Sequence, residues 1–285
     1  MTARRANLVL PVGLLCAALA LTQLALAQTS STTSSEVRGK KVVDDAIAAL
    51  GGQKFLAMQD RVETGRAYSF YHEQLNGLSL ATIYTRYITP VEGKTGKDLA
   101  LRERQAFGKN EEFGYALFRE EGGWEVNFRG PKKMEDERLD RYHDSTLHNV
   151  LYMLRVRLHE PGLIFESKGA DVVENAPVEI VDITDSENRV VTVYFHQSTK
   201  LPVRQVWVWR DPKTKDRNEE VTRFARYRDV GGGIQWPMQI TRERNGEKVY
   251  QIFSDSVTVN QNLADDLFAV PTGPSTGKAP VKKKK

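Results

Sequence analysis

The chain has 285 residues, with 41 Lys and Arg against 37 Asp and Glu, a formal net charge of +4, 40% hydrophobic residues and one cysteine. That length supports a sizeable core, and the composition excludes global disorder, a collagen-like chain and a multi-span membrane protein. A single cysteine excludes an intrachain disulfide framework and any multi-cysteine metal site.

Residues 1–27 have the layout of a secretory signal peptide. Arg4 and Arg5 form the positive start, an apolar stretch runs from Leu8 to Leu26, and Ala25-Leu26-Ala27 is a small-x-small cleavage site. Cleavage after Ala27 removes Cys16 and leaves a mature chain without cysteine, which suits an oxidising compartment such as the periplasm. The alternative is a retained anchor helix, but Pro11, Thr22 and Gln23 leave an uninterrupted run that is short for a bilayer core of about 30 Å. Residues 28–36 are rich in Ser and Thr and are expected to be flexible.

Residues 37–50 read as a helix with Val42, Val43, Ala46, Ile47 and Leu50 on one face, stopped by Gly51 and Gly52. Phe55 to Met58 add a short turn against the same core. The period then changes to two. Arg61–His72 and Leu78–Thr89 read as strands joined by a turn at Asn76-Gly77. Asp98–Phe107, Glu112–Phe118 and Trp124–Phe128 follow as shorter strands.

Residues 131–160 contain no glycine, and Leu139, Tyr142, Leu147, Val150, Leu151, Leu154 and Leu158 keep 3- and 4-residue spacing. This predicts one long helix or two stacked ones, ended by Pro161-Gly162. Strands resume over 163–167, 178–184, 189–195, 202–209, 220–228, 234–242 and 248–259, with connections too short for parallel crossovers. In the strand at 203–209, Gln205, Trp207 and Trp209 point one way and Arg204, Val206 and Val208 the other. Bulky groups on both faces imply a strand that is covered on both sides, as in a sandwich, or one that lines a cavity on one side and sits under a helix on the other, as in a curved sheet with a helix in its concave face. Leu263–Phe268 reads as a closing turn, and residues 271–285 as a disordered tail ending in Lys282–Lys285.

The positive charge sits at the two ends. Residues 1–27 hold two arginines and no acids, and residues 271–285 hold five lysines and no acids, which leaves −3 for residues 28–270. A mildly acidic body removes the main support for a nucleic-acid partner. Lys282–Lys285 remain a candidate contact with an anionic membrane surface, at about 1 kcal/mol per lysine.

No catalytic set, cofactor or metal site is expected. Gly-x-Ser-x-Gly, Gly-x-Gly-x-x-Gly and phosphate-loop patterns are absent. His143 and His148 lie five apart, about 140° around a helix, which does not suit a shared metal. Asp144 and His148 have i, i+4 spacing but no third ligand. Strand arginines such as Arg102, Arg104, Arg223, Arg242 and Arg244 read as an outer face paired with Glu103, Glu220 and Glu243. The alternative is a lining that contacts an anionic group.

Several motifs resemble the LolA/LolB-type lipoprotein carriers, the related sensor RseB and outer-membrane lipoprotein-sorting-like proteins. They are Ala49-Leu50-Gly51-Gly52, Thr199-Lys200-Leu201-Pro202-Val203-Arg204, Tyr227-Arg228-Asp229-Val230, Gly233-Ile234-Gln235-Trp236-Pro237, and Val259-Asn260 ahead of Leu267-Phe268 and Pro271. The resemblance covers about 37–271. It implies a mainly β single domain over 37–270: a curved, half-open antiparallel barrel of about eleven strands with helices as a lid. It also implies a periplasmic, non-enzymatic binding protein whose concave face takes a lipid, a lipoprotein acyl chain or another apolar ligand. Lipoprotein sorting at the outer membrane is the implied process, and the sensor RseB implies an alternative role with another envelope protein as partner. Tyr84, Trp207, Trp209, Trp236, Met238 and Tyr250 are the expected ligand-binding residues.

Overall fold

The computed structural model describes residues 34–273, apart from 94–95, 110, 112–113 and 212. The expected signal peptide 1–27, residues 28–33 and the tail from 274, with Lys282–Lys285, lie outside the described residues.

Helix α1 (34–50) begins three residues before the expected start. Its apolar face is the expected one: Val43, Ala46 and Leu50 are fully buried, and Val42 and Ile47 nearly so. Gly51 and Gly52 take positive φ and return hydrogen bonds to Ala48 and Ile47, which ends the helix. Helix α2 (Gln53–Leu56) follows and buries Phe55. Gly39 lets α1 lie directly on the sheet, since a Cβ there would stand 2.4 Å from the Phe165 carbonyl oxygen.

The strands are β1 (Asp60–Tyr71), β2 (Gln74–Tyr87), β3 (Leu101–Phe107), β4 (Gly114–Arg119), β5 (Gly122–Asn127) and β6 (Gly130–Lys133). After the helices come β7 (Ile164–Val173), β8 (Ala176–Thr184), β9 (Val190–His196), β10 (Pro202–Arg210), β11 (Arg217–Asp229), β12 (Gln235–Arg244) and β13 (Glu247–Val259). Among the described residues these thirteen form one antiparallel sheet in the order β6-β5-β4-β3-β2-β1-β13-β12-β11-β10-β9-β8-β7. Chain neighbours pair, the first strand pairs with the last, and one junction, β6 to β7, stays unpaired. The curved sheet is thus a barrel left open there, as the half-open expectation has it, with two more strands than expected.

The chain between β6 and β7 forms the helices. Helix α3 (Asp136–Leu147) ends at His148, Asn149 caps α4 (Val150–Tyr152) through its side chain, and α4 runs into a π-helical turn (Met153–Arg157). This is the two-helix form of the expectation, with β6 occupying its first residues. The main core lies between α1, α2, α4 and the concave face of β7–β12, around Leu50, Phe55, Leu154, Phe195, Trp207 and Phe224.

Two details depart from the sequence reading. The β1–β2 turn is His72-Glu73, both at positive φ, while Asn76-Gly77 lies inside β2 beside a register shift at Ser69/Phe70. Asn-Gly here marks a bulge in which neither residue takes positive φ, and a Cβ at Gly77 would stand 2.7 Å from Ser69 Oγ. In β10, the Gln205, Trp207 and Trp209 face lies under the helices, whereas Val208 on the other face is exposed. That strand is covered once.

The motifs behind the resemblance are turn hardware. Asp229 Oδ1 accepts from the amides of Gly231 and Gly233, and Asn260 at φ 55° accepts from the Gln59 amide. Pro237 pairs opposite Tyr227, next to Arg226 at φ 58°, with the β11–β12 register unbroken.

Candidate functional site

Helices fill the β7–β11 half of the concave face. The other half, β12, β13 and β1–β4, holds a cavity of about 440 Å³ roofed by α3. Residues 138, 141, 142, 145 and 146 line it, an i, i+3, i+4 series that turns one face of α3 inward. The strands present alternate residues: Ile83, Thr85 and Tyr87 from β2; Leu101, Glu103, Gln105 and Phe107 from β3; Trp236, Ile240, Arg242 and Arg244 from β12. Trp236, Leu101 and Tyr152 at one end are nearly fully buried, while Phe107 is 37% exposed and the side chains of Arg138 and Arg141 about half exposed. The second end is the mouth.

Much of the lining is apolar or aromatic: Ile83, Leu101, Phe118, Leu151, Tyr250 and Ile252 surround the space. Phe118 stacks on Tyr142 of the roof with ring centroids 3.5 Å apart. One wall is charged. Arg61 lies over the Trp236 ring at 4.1 Å, donates to Thr85 Oγ1 at 2.9 Å, and stands 3.6 Å from Glu63 and 4.0 Å from Glu103. Glu103 accepts from Thr85, Gln105 and the Tyr142 hydroxyl, and Glu63 from Ser254. Burying these carboxylates is tolerable because each is hydrogen-bonded. Burial raises the pKa of the Tyr142 hydroxyl well above its usual value, with Glu103 adding to it, so Tyr142 stays a neutral donor.

The roof is fastened at its break. Gln205 Oε1 accepts from the Val150 amide at 2.7 Å and its Nε2 donates to the His148 carbonyl at 3.1 Å. Arg157, fully buried, donates to Glu160, to Asp185 at 3.0 Å and to the Leu147 carbonyl at 2.8 Å. It therefore caps α3 and ties the helices to the β8–β9 turn.

The six residues singled out from the sequence separate into three groups. Trp236 and Tyr250 line the cavity. Trp207, Trp209 and Met238 belong to the main core or its edge, with Trp207 stacked between His148 at 4.1 Å and Trp209 at 4.3 Å. Tyr84 is on the opposite face, where its hydroxyl donates to Glu111 at 2.7 Å. The arginine reading also divides. Arg223 lies on the outer face with Glu174 and Glu243 as expected, but Arg242 and Arg244 line the cavity and share the buried Glu220. Strand parity was the available signal: Arg242 and Arg244 keep step with Trp236 and Ile240.

His148 is a core residue. Burial lowers its pKa to about 4, its Nδ1 lies 2.6 Å from the Asp144 carbonyl, and its ring packs on Trp207. Among the described residues no group of three His, Cys, Asp or Glu side chains converges as metal ligands.

The chain matches no protein-family model and no curated protein. Solved structures do resemble it. A DUF1329 family protein from Desulfovibrio piger superposes with a TM-score of 0.54 at 14% identity, covering 81% of this chain and 97% of that one. A LolA superfamily protein from Nitrosomonas europaea gives 0.50 at 10% identity, with 81% and 97% covered. At these identities the likeness is one of fold: the chain has the LolA-type architecture.

Proposed function

We propose that the chain is an exported periplasmic protein, not an enzyme, that holds a lipid, a lipoprotein acyl chain or another apolar ligand in the roofed cavity. It would act as a carrier in outer-membrane lipoprotein sorting. The observation that carries this reading is the 440 Å³ cavity between α3 and the bare half of the sheet, within the roughly 300–1,000 Å³ of small-molecule sites. A chain that buries about ten methylenes gains about 8 kcal/mol. That offsets an association cost of about 4 kcal/mol or more. The LolA-type architecture supports the same reading, and so does the leader expected at 1–27, which also underlies the periplasmic assignment. Of the six residues first singled out, Trp236 and Tyr250 are the ones we assign to ligand contact.

The test is titration of delipidated protein with a fluorescent long-chain fatty acid. Saturation at one probe per protein, with energy transfer from tryptophan, is expected. No saturable binding would refute the proposal.

A second reading, docking of another envelope protein, draws on the exposed Tyr71, Leu75, Leu78 and Leu80 of the β1–β2 hairpin. Envelope proteins captured equally with and without competing lipid would favour it.

A further inference from the structure

The polar groups that line the cavity are unbalanced in one direction. Among the described residues, three buried N–H groups there have neither a hydrogen-bond partner nor an ion-pair contact, Arg61 Nε, Trp236 Nε1 and Arg244 Nε, while Arg242 Nε has only a 3.4 Å contact with Glu220. All three are donors, and no lining oxygen is left in the same state among the described residues. An unpartnered buried donor is costly, so a set of them is a demand for acceptor atoms.

Charge at the mouth points the same way. Arg242 and Arg244 share one carboxylate, Glu220, at 3.4 and 3.1 Å, and Glu220 also accepts from Ser145 at 2.8 Å. Across the mouth, Arg141 of α3 has, among the described residues, only the loose 3.5 Å contact with Glu137, a side chain 87% exposed. Exposed pairs of that kind hold little energy, which leaves Arg141 available. The opposite face of the sheet is built differently: Arg223 has Glu174 and Glu243, and Arg102 has Glu120 and Asp265. Each of those two has two carboxylates, Asp265 being shared with Arg86, whereas at the mouth Arg138, Arg141, Arg242 and Arg244 meet three, Glu125, Glu137 and Glu220. A guanidinium fork suits a phosphate or carboxylate in particular.

We propose that the ligand is an amphiphile with an anionic headgroup, a phosphate or carboxylate, received at the cavity mouth by Arg141, Arg242 and Arg244 while its chain lies inside. This rests on the acyl-chain reading above and adds a headgroup requirement to it. The unpartnered Arg61 and Trp236 donors extend the same preference for ligand oxygens to the closed end.

The experiment compares binding of delipidated protein to vesicles of phosphatidylglycerol and of phosphatidylcholine with identical acyl chains. Glycerol phosphate alone is the third arm, and the R141Q/R242Q variant is measured in parallel. That variant keeps Glu220 paired with Arg244 and Ser145, and thermal unfolding checks that it folds. The expected result is phosphatidylglycerol bound roughly tenfold more tightly than phosphatidylcholine, a preference that falls below about threefold in the variant. Equal affinity for both lipids, or a preference unchanged in a folded variant, would overturn the headgroup assignment while chain binding stood. Binding of neither lipid would remove the acyl-chain reading itself, and this assignment with it. Glycerol phosphate bound as tightly as phosphatidylglycerol would assign the arginines to a soluble anion and overturn the lipid source.

Discussion

Gln205 holds Val150 from beneath. One side-chain amide on β10 pairs with the first N–H of α4 at 2.7 Å and with the His148 carbonyl at 3.1 Å. These are the backbone groups exposed where α3 stops and α4 starts, and they lie where water does not reach. Gln205→Leu would leave both unpaired at a cost of about 1–3 kcal/mol. Hydrogen exchange should show the 148–154 amides losing protection while the β7–β9 amides keep theirs.

Arg157 does the same work with charge. It is fully buried, and its partners Glu160 and Asp185 have side chains 5% and 1% exposed. Arg157→Met removes the cation and leaves the buried Glu160 unpaired and Asp185 with Arg189 alone, which predicts a loss of about 3 kcal/mol. Denaturant titration measures it. Substitution of the exposed Lys40–Asp44 pair on α1 should change stability by well under 1 kcal/mol.

Those fastenings bear on what could be read from the chain alone. Local features were legible. The buried face of α1 follows from the spacing of Val42, Val43, Ala46, Ile47 and Leu50, and the β12–β13 turn from Asn245-Gly246, which sits at positive φ between paired Arg244 and Glu247. Strand β6 was not, because four residues, Gly130–Lys133, carry no alternation. The roof hid its function for a physical reason. Its apolar side chains Leu139 and Leu147 pack sideways into small clusters with Met134 and Leu101, and its cavity face is Arg, Tyr, Ser and Thr. Apolar periodicity locates the packed side of such a helix, and here the ligand side is the other one. The same bias toward aromatics favoured Trp207 and Trp209 and left Arg242 and Arg244 as the less favoured lining reading.

Acid should weaken the fold in two stages. His148 is buried neutral with a pKa lowered to about 4, against 6.5 when unfolded. Between those values the unfolded chain binds more protons, so stability falls as pH drops from 6.5 toward 4, and this contribution is constant below both. The full effect is about 3 kcal/mol. Asp185 acts later. Burial alone would raise its pKa, but hydrogen bonds from Arg189 and Arg157 outweigh that and hold it below 3.8, so its contribution is lost as pH falls through that lower range. Urea midpoints measured from pH 7 to pH 3 should decline in the first window for the native chain. In His148→Phe that first decline should vanish, while the later one persists.

Filling the cavity should separate binding from stability. Ile240 lines it and is only partly buried, so Ile240→Trp places the added ring in open space. Uptake of the fluorescent fatty acid should drop by at least about tenfold, with unfolding free energy changed by less than about 1.5 kcal/mol. Tyr84→Phe, on the opposite face, should leave uptake unaltered.

The most direct measurement is native mass spectrometry of the protein after incubation with phospholipid vesicles and removal of the vesicles. The account predicts a 1:1 adduct at the mass of one lipid molecule, present for the native chain and absent for Ile240→Trp. A native chain that emerges bare, or an adduct of equal abundance in the filled variant, would contradict it.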